Sequence, residues 1–159
     1  MLVPRPIEPD REGGFRFRLS DGERELLRTL PAELQALLES EPDDPGLRRL
    51  FPPAYERDEE GEAEYRRLMA GELLEGRRVA LRLVQETAGR ERLTAEELDA
   101  WLRALNDLRL VLGTRLDVTE EMYEAHLDPA HPQAYELSVY GYLSWLQEQL
   151  VDAAAGELG

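Results

Sequence analysis

Trp101-Leu-Arg-Ala-Leu-Asn-Asp-Leu-Arg-Leu-Val-Leu-Gly-Thr-Arg-Leu-Asp117 carries apolar residues every three or four positions, the spacing of an amphipathic helix. Set at helical intervals, Trp101, Leu105, Leu108, Val111 and Leu112 share one side. Thr94-Ala-Glu-Glu97 forms a capping box in front of it, and Gly113 suits the left-handed position at which a helix ends. The reading is therefore a helix from Thr94 to Gly113. Asn106 is the only asparagine in the chain, lysine is absent and Ile7 is the single isoleucine, the composition of a GC-rich genome. Asn is a mediocre helix former, so its lone appearance in mid-helix points to a specific hydrogen-bonding role.

Upstream, acidic first turns (Asp58, Glu59, Glu60, Glu62, Glu64) suit the positive end of a helix dipole and open a long helix from about Asp58 to Thr87. Its expected inner side holds Tyr65, Leu68, Met69, Leu73, Val79, Ala80, Leu83 and Val84. Glu72 falls within that stripe, as does Gly76, which would let another helix approach closely. Arg109 projects between Leu105 and Leu102, with Asn106 at its margin. An unpaired buried charge costs several kcal/mol, so Arg109 is expected to pair with Glu72, or else with Asp117 or Glu64. Asn106, Arg109, Glu72 and Asp117 thus form the expected buried polar knot, and the competing reading is a small pocket whose Arg109 binds an anion.

Phe15-Arg-Phe-Arg-Leu19 alternates apolar and charged residues and is expected to be the one strand. Ser20 and Glu23 form another capping box, before leucines 26, 27, 30, 34, 37 and 38 at helical spacing. Pro31 bends that helix or splits it. Asp44-Pro45 starts one helical turn, and Thr119 to His126 reads as a short helix. The last helix, about Gln133 to Ala154, is apolar on two sides. Tyr135, Val139, Tyr142, Leu143, Leu146 and Leu150 make one stripe, whereas Leu137, Tyr140, Trp145 and Val151 project elsewhere. Such a helix is central in a bundle or lies at an interface, here with another protein or in a homodimer. The fold expected is mainly α, one domain over 1–159, with five or six helices, one short N-terminal strand and flexible ends at 1–14 and 155–159.

A formal charge of -15 makes the average surface repel phosphate backbones and anionic lipid, so nucleic acid is a poor partner. Arg66, Arg67, Arg77, Arg78 and Arg82 give the long helix a partly basic side, which Glu64, Glu75 and Glu86 are expected to screen through ion pairs. With no cysteine, the chain can form no disulfide, thiolate metal site, cysteine nucleophile or thiol switch. No basic start leads into an apolar run, and no stretch of about 18 apolar residues occurs, so a cytoplasmic protein without a membrane span is expected.

Catalytic signatures fail for the most part. Neither His126 nor His131 has a Glu three residues earlier, as a carboxylate-bridged metal bundle needs. Asp128 and His131 have metal-ligand spacing but straddle Pro129 in an expected turn. Glu120-Glu-Met-Tyr-Glu124 matches half of the Mg²⁺-binding pattern of helical nucleotide pyrophosphohydrolases, and the second half is missing. There is no glycine-rich phosphate loop and no Gly-x-Ser-x-Gly. No catalytic residue, metal or cofactor is expected.

Leu50-Phe-Pro-Pro-Ala-Tyr55, Glu64-Tyr-Arg66, the Trp101–Val118 run and Tyr142-x-x-Trp-Leu146 together resemble the actinobacterial domain-of-unknown-function family numbered 2017. The resemblance covers essentially the whole chain. It implies a small, mainly helical cytoplasmic protein, often encoded beside a Clp protease adaptor, without an assigned catalytic residue. Some members are described as transcriptional regulators in oxidative stress that act through a sigma factor and sense through cysteines, and a chain without cysteine departs from that pattern. The function expected is a non-enzymatic regulator that docks on a sigma factor, RNA polymerase or a proteolysis component through Tyr140, Trp145, Leu137 and Val151. A hydrolase or binder of small anions or nucleotides is the alternative, and a direct DNA-binding regulator the second.

Overall fold

The computed structural model describes residues 5–40, 44–50, 60–116 and 133–158. The elements run β1 (Ile7–Pro9), β2 (Phe15–Phe17), α1 (Asp21–Ser40), a 3-10 helix (Pro45–Leu50), α2 (Glu60–Thr87), β3 (Arg92–Leu93), α3 (Ala95–Leu116) and α4 (Ala134–Leu158). The protein is mainly α, with four α-helices among the described residues against the five or six expected. The helix expected over 119–126, with both histidines, and the Glu120–Glu124 half-motif lie outside the described residues.

Three strands form where one was expected, in the antiparallel order β1-β2-β3. Alternation in β2 puts Phe15 and Phe17 inward, and two short flanking strands satisfy its backbone. The N-terminal segment expected to be loose supplies β1, whose Ile7 is fully buried. A three-residue and a two-residue strand are too short to show an alternation in sequence. Gly13 (φ 102°) and Gly14 (φ 73°) make the β1–β2 turn in the left-handed region. Gly14 also lies so close to β3 that a Cβ would sit 2.5 Å from the Leu93 carbonyl oxygen.

Both capping boxes form reciprocally. Ser20 Oγ accepts from the Glu23 amide at 3.1 Å while Glu23 accepts from the Ser20 amide, and Thr94 and Glu97 do the same. Helix α1 runs unbroken through a buried Pro31. Helix α3 does not stop at Gly113 but continues to Leu116. The value of Gly113 is close packing: a Cβ there would meet the Tyr140 ring at 3.2 Å.

Helix α3 is the centre of the bundle, packed by α1, α2, α4, the 3-10 helix and β3. Trp101 is its anchor, edge-on to Phe17 at 5.0 Å and donating from Nε1 to Thr87 Oγ1 at 2.7 Å. That hydrogen bond satisfies the indole in a fully buried site. The last helix is therefore a flank, packed on α3 and β1 through Val139, Leu143, Leu146, Leu150 and Ala153. It extends to Leu158, through part of the C-terminal end expected to be flexible. The inner stripe of α2 is Leu74, Arg77, Leu81 and Val84, at alternating three- and four-residue steps, and Ala88 just past its end continues it. Leu73 and Val79, expected inside, are 42% and 54% exposed.

Candidate functional site

The buried charge pair that the sequence pointed to exists on different residues. Asp107, not Asn106, turns into the α2–α3 seam, and at 4% exposure it is the most deeply buried carboxylate among the described residues. Arg77 Nη1 donates to Asp107 Oδ1, and Arg77 Nη2 donates to the Leu50 carbonyl at 2.6 Å. One guanidinium therefore ties α2 to α3 and to the end of the 3-10 helix. Burial pushes the Asp107 carboxyl above its ordinary value, and the hydrogen bond and charge of Arg77 reverse only part of that. Arg77 Nε is buried without a hydrogen-bond partner.

Arg109 does not meet Glu72. Its Nε donates to Ser144 Oγ at 3.0 Å and its Nη1 to Gln147 Oε1 at 2.6 Å, with the guanidinium 5.6 Å from the Tyr140 ring centroid. It is a tie between α3 and α4 made with neutral acceptors. Glu72 and Asn106 are exposed and Asp117 lies outside the described residues, so among the described residues the expected knot is not assembled. The buried stripe of α2 is rotated by about one position from the expected one. Reading the stripe as Leu74, Arg77, Leu81, Val84 brings Arg77 inward, and Asp107 falls between Ala104 and Val111 on the buried side of α3.

Turning Arg77 inward also reduces the basic side expected on α2. Arg78 reaches Glu75 and Glu39 at 3.8 and 3.9 Å, which agrees with a surface of screened ion pairs. On α4, the four residues expected to form one docking surface are separated. Leu137 is buried, Tyr140 is half-buried beneath Arg109, and Val151 (50% exposed) lies on a different side from Trp145 (41% exposed). A different set shares one side of α4: Tyr135, 71% exposed, and Trp145, with the half-buried Tyr142 between them, its ring 5.8 Å from that of Trp145. Tyr142 donates to Glu23 Oε2 at 2.7 Å; burial first, then that carboxylate, drive its phenol pKa strongly upward.

Glu72 and Asn106 do share a feature, an open trough along the outer α2–α3 seam. Two adjoining hollows of about 410 and 430 Å³ share Glu72, Gly76, Ala80 and Arg103. Asn106 and Leu73 line the first, and Val79, Glu75, Glu96, Asp99 and Ala100 the second. Glu96 to Asp107 covers about three turns of α3, roughly 16 Å of trough. Gly76 was expected to admit another helix, yet a Cβ there would meet no atom within 4 Å. Among the described residues no three acidic or histidine side chains gather where they could hold a metal ion. No helix there is long and apolar enough to cross a membrane.

These features define a mainly α bundle with a small sheet at one end, whose buried polar side chains are helix-to-helix ties. The chain belongs to the family described as "Domain of unknown function (DUF2017)", which matches residues 4–154. It is 38% identical over 127 residues to proteins of Mycobacterium bovis and Mycobacterium tuberculosis, each named "Oxidative stress regulator AosR". Those alignments cover 69% of this chain and 58% of each relative, so the chain matches little more than half the length of these regulators. No solved structure matches it.

Proposed function

We propose that this chain is a regulatory protein of the oxidative-stress response that works by binding a protein partner. The observation that carries the reading is the shared name of relatives aligned at 38% identity over 127 residues. A sigma factor, RNA polymerase or a proteolysis component is the kind of partner meant. The charge of -15 supports a protein partner over DNA, because counterion release favours binding only where phosphates meet cations. The engaged state of the two half-buried arginines supports it over a small-anion or nucleotide hydrolase: Arg77 and Arg109 each give two N–H donors to protein acceptors. No thiol in these 159 residues can carry a redox signal.

The test is deletion of the gene followed by peroxide challenge and transcript profiling, with a tagged chain used to capture partners. The expected result is an altered peroxide response, restored by the wild-type gene, and capture of a transcription or proteolysis component. An unaltered response overturns the reading.

A further inference from the structure

We infer that the α2–α3 trough is the docking site for a basic amphipathic helix of the partner, an inference that rests on the reading of the chain as a partner-binding regulator. The floor is apolar and open: Leu73 and Val79 are large side chains left half in water, flanking Gly76. Apolar side chains left exposed beside a glycine, on a helix packed against α1 and α3, suit the close approach of a further helix. The walls are acidic. Glu72, Glu75, Glu96 and Asp99 rim the floor against two cations, each already paired: Arg103 is held by Asp99 at 3.1 Å and Arg77 by Asp107. Glu72 and Glu96 make no ion pair among the described residues and are free to receive Lys or Arg.

Charge selects the occupant. A second copy of the chain would bring the same acidic rim onto this one in a two-fold contact, and nucleic acid or an anionic membrane would be repelled. A helix of about three turns fits the length of the trough, with an apolar stripe for Leu73, Gly76 and Val79 and basic flanks for the carboxylates. Asn106, at the end of the trough, offers a donor and an acceptor that can fix register. The net charge of -15 steers such a helix toward the protein from a distance.

The experiment uses the full chain labelled with ¹⁵N-asparagine, which places its one asparagine probe in the trough. A synthetic leucine–lysine peptide of roughly 14 residues in amphipathic order is titrated against it, beside a scrambled peptide of the same composition. The Asn106 resonances are expected to shift with the ordered peptide only. Gly76→Phe, whose Cβ would meet no atom within 4 Å and whose ring occupies the trough, is expected to weaken binding by at least about tenfold with an unchanged circular dichroism spectrum. Glu72→Lys with Glu96→Lys is expected to do the same and flatten the salt dependence, whereas Trp145→Ala leaves binding intact. An unmoved Asn106, equal shifts with the scrambled peptide, or wild-type affinity in Gly76→Phe overturns the docking site. In cells, a Gly76→Phe strain whose peroxide response is normal, where deletion alters it, overturns the trough and leaves the regulator reading standing.

Discussion

Replacing Asp107 with alanine tests the central tie of the bundle. Breaking a fully buried ion pair costs about 3–5 kcal/mol, because the surviving charge is left without a partner. Arg77 sits below that limit in two respects: its side chain is 22% exposed, and Nη2 keeps the Leu50 carbonyl. A loss of about 2–3 kcal/mol is therefore expected for Asp107→Ala. In a domain of this size that lowers the melting temperature by roughly 6–10 °C. Asp107→Asn keeps an oxygen for Arg77 Nη1 and removes the charge whose desolvation dominates, so it should lie within about 1 kcal/mol of wild type. Replacing both partners with Leu and Met should recover most of the loss, since an apolar pair has no charge to desolvate. Urea denaturation of the four proteins at neutral pH gives the comparison. If Asp107→Ala is as stable as wild type, or Asp107→Asn falls as far as Asp107→Ala, the pair does not hold the seam in the way described.

The same carboxyl sets a pH dependence. Its folded-state pKa is raised, so the folded chain binds the proton more tightly, and this group's contribution to stability falls as pH rises from the ordinary carboxylate value through the raised one. Glu8, bonded to Arg18, and Asp10, bonded to the Glu12 amide, have lowered values and act in the opposite sense, so the check is wild type minus Asp107→Asn, measured in urea from acid to neutral pH. That difference should decline with rising pH; a rise would reverse the sign of the argument. Gly14→Ala combines a positive φ with a Cβ 2.5 Å from the Leu93 oxygen, and should lose more than about 1 kcal/mol by thermal melting. Gly76→Ala, inside a helix and facing open space, should gain about 0.5–1 kcal/mol in the same assay.

Helix starts were readable because a capping box is a local device: Ser20 with Glu23 and Thr94 with Glu97 need only four residues each. The packing of Trp101 on α3 was readable from spacing for a similar reason. Rotation of α2 was harder, since Leu73 and Val79 are as apolar as Leu81 and Val84 and only tertiary packing tells them apart. That ambiguity moved the expected pair from Arg77 and Asp107 to Glu72 and Arg109. The sheet escaped because its strands are two or three residues long and held by partners far away in sequence, β2 by β3 above all. On α4 the missing knowledge was which apolar side faces α3, and the Arg109 contacts to Ser144 and Gln147 decide it. Asn106 stood out by its rarity, and its place at the end of the α2–α3 trough could not be read without knowing the helix rotation.

The claim that this chain regulates by binding a protein through the α2–α3 trough is tested most directly by site-specific crosslinking. A photoreactive amino acid placed at Val79, and separately at Trp145, is activated in peroxide-challenged cells and the adducts are sequenced. The prediction is an adduct from Val79 to a basic helical segment of a transcription or proteolysis component. An adduct from Trp145 with none from Val79, or none from either position, contradicts it.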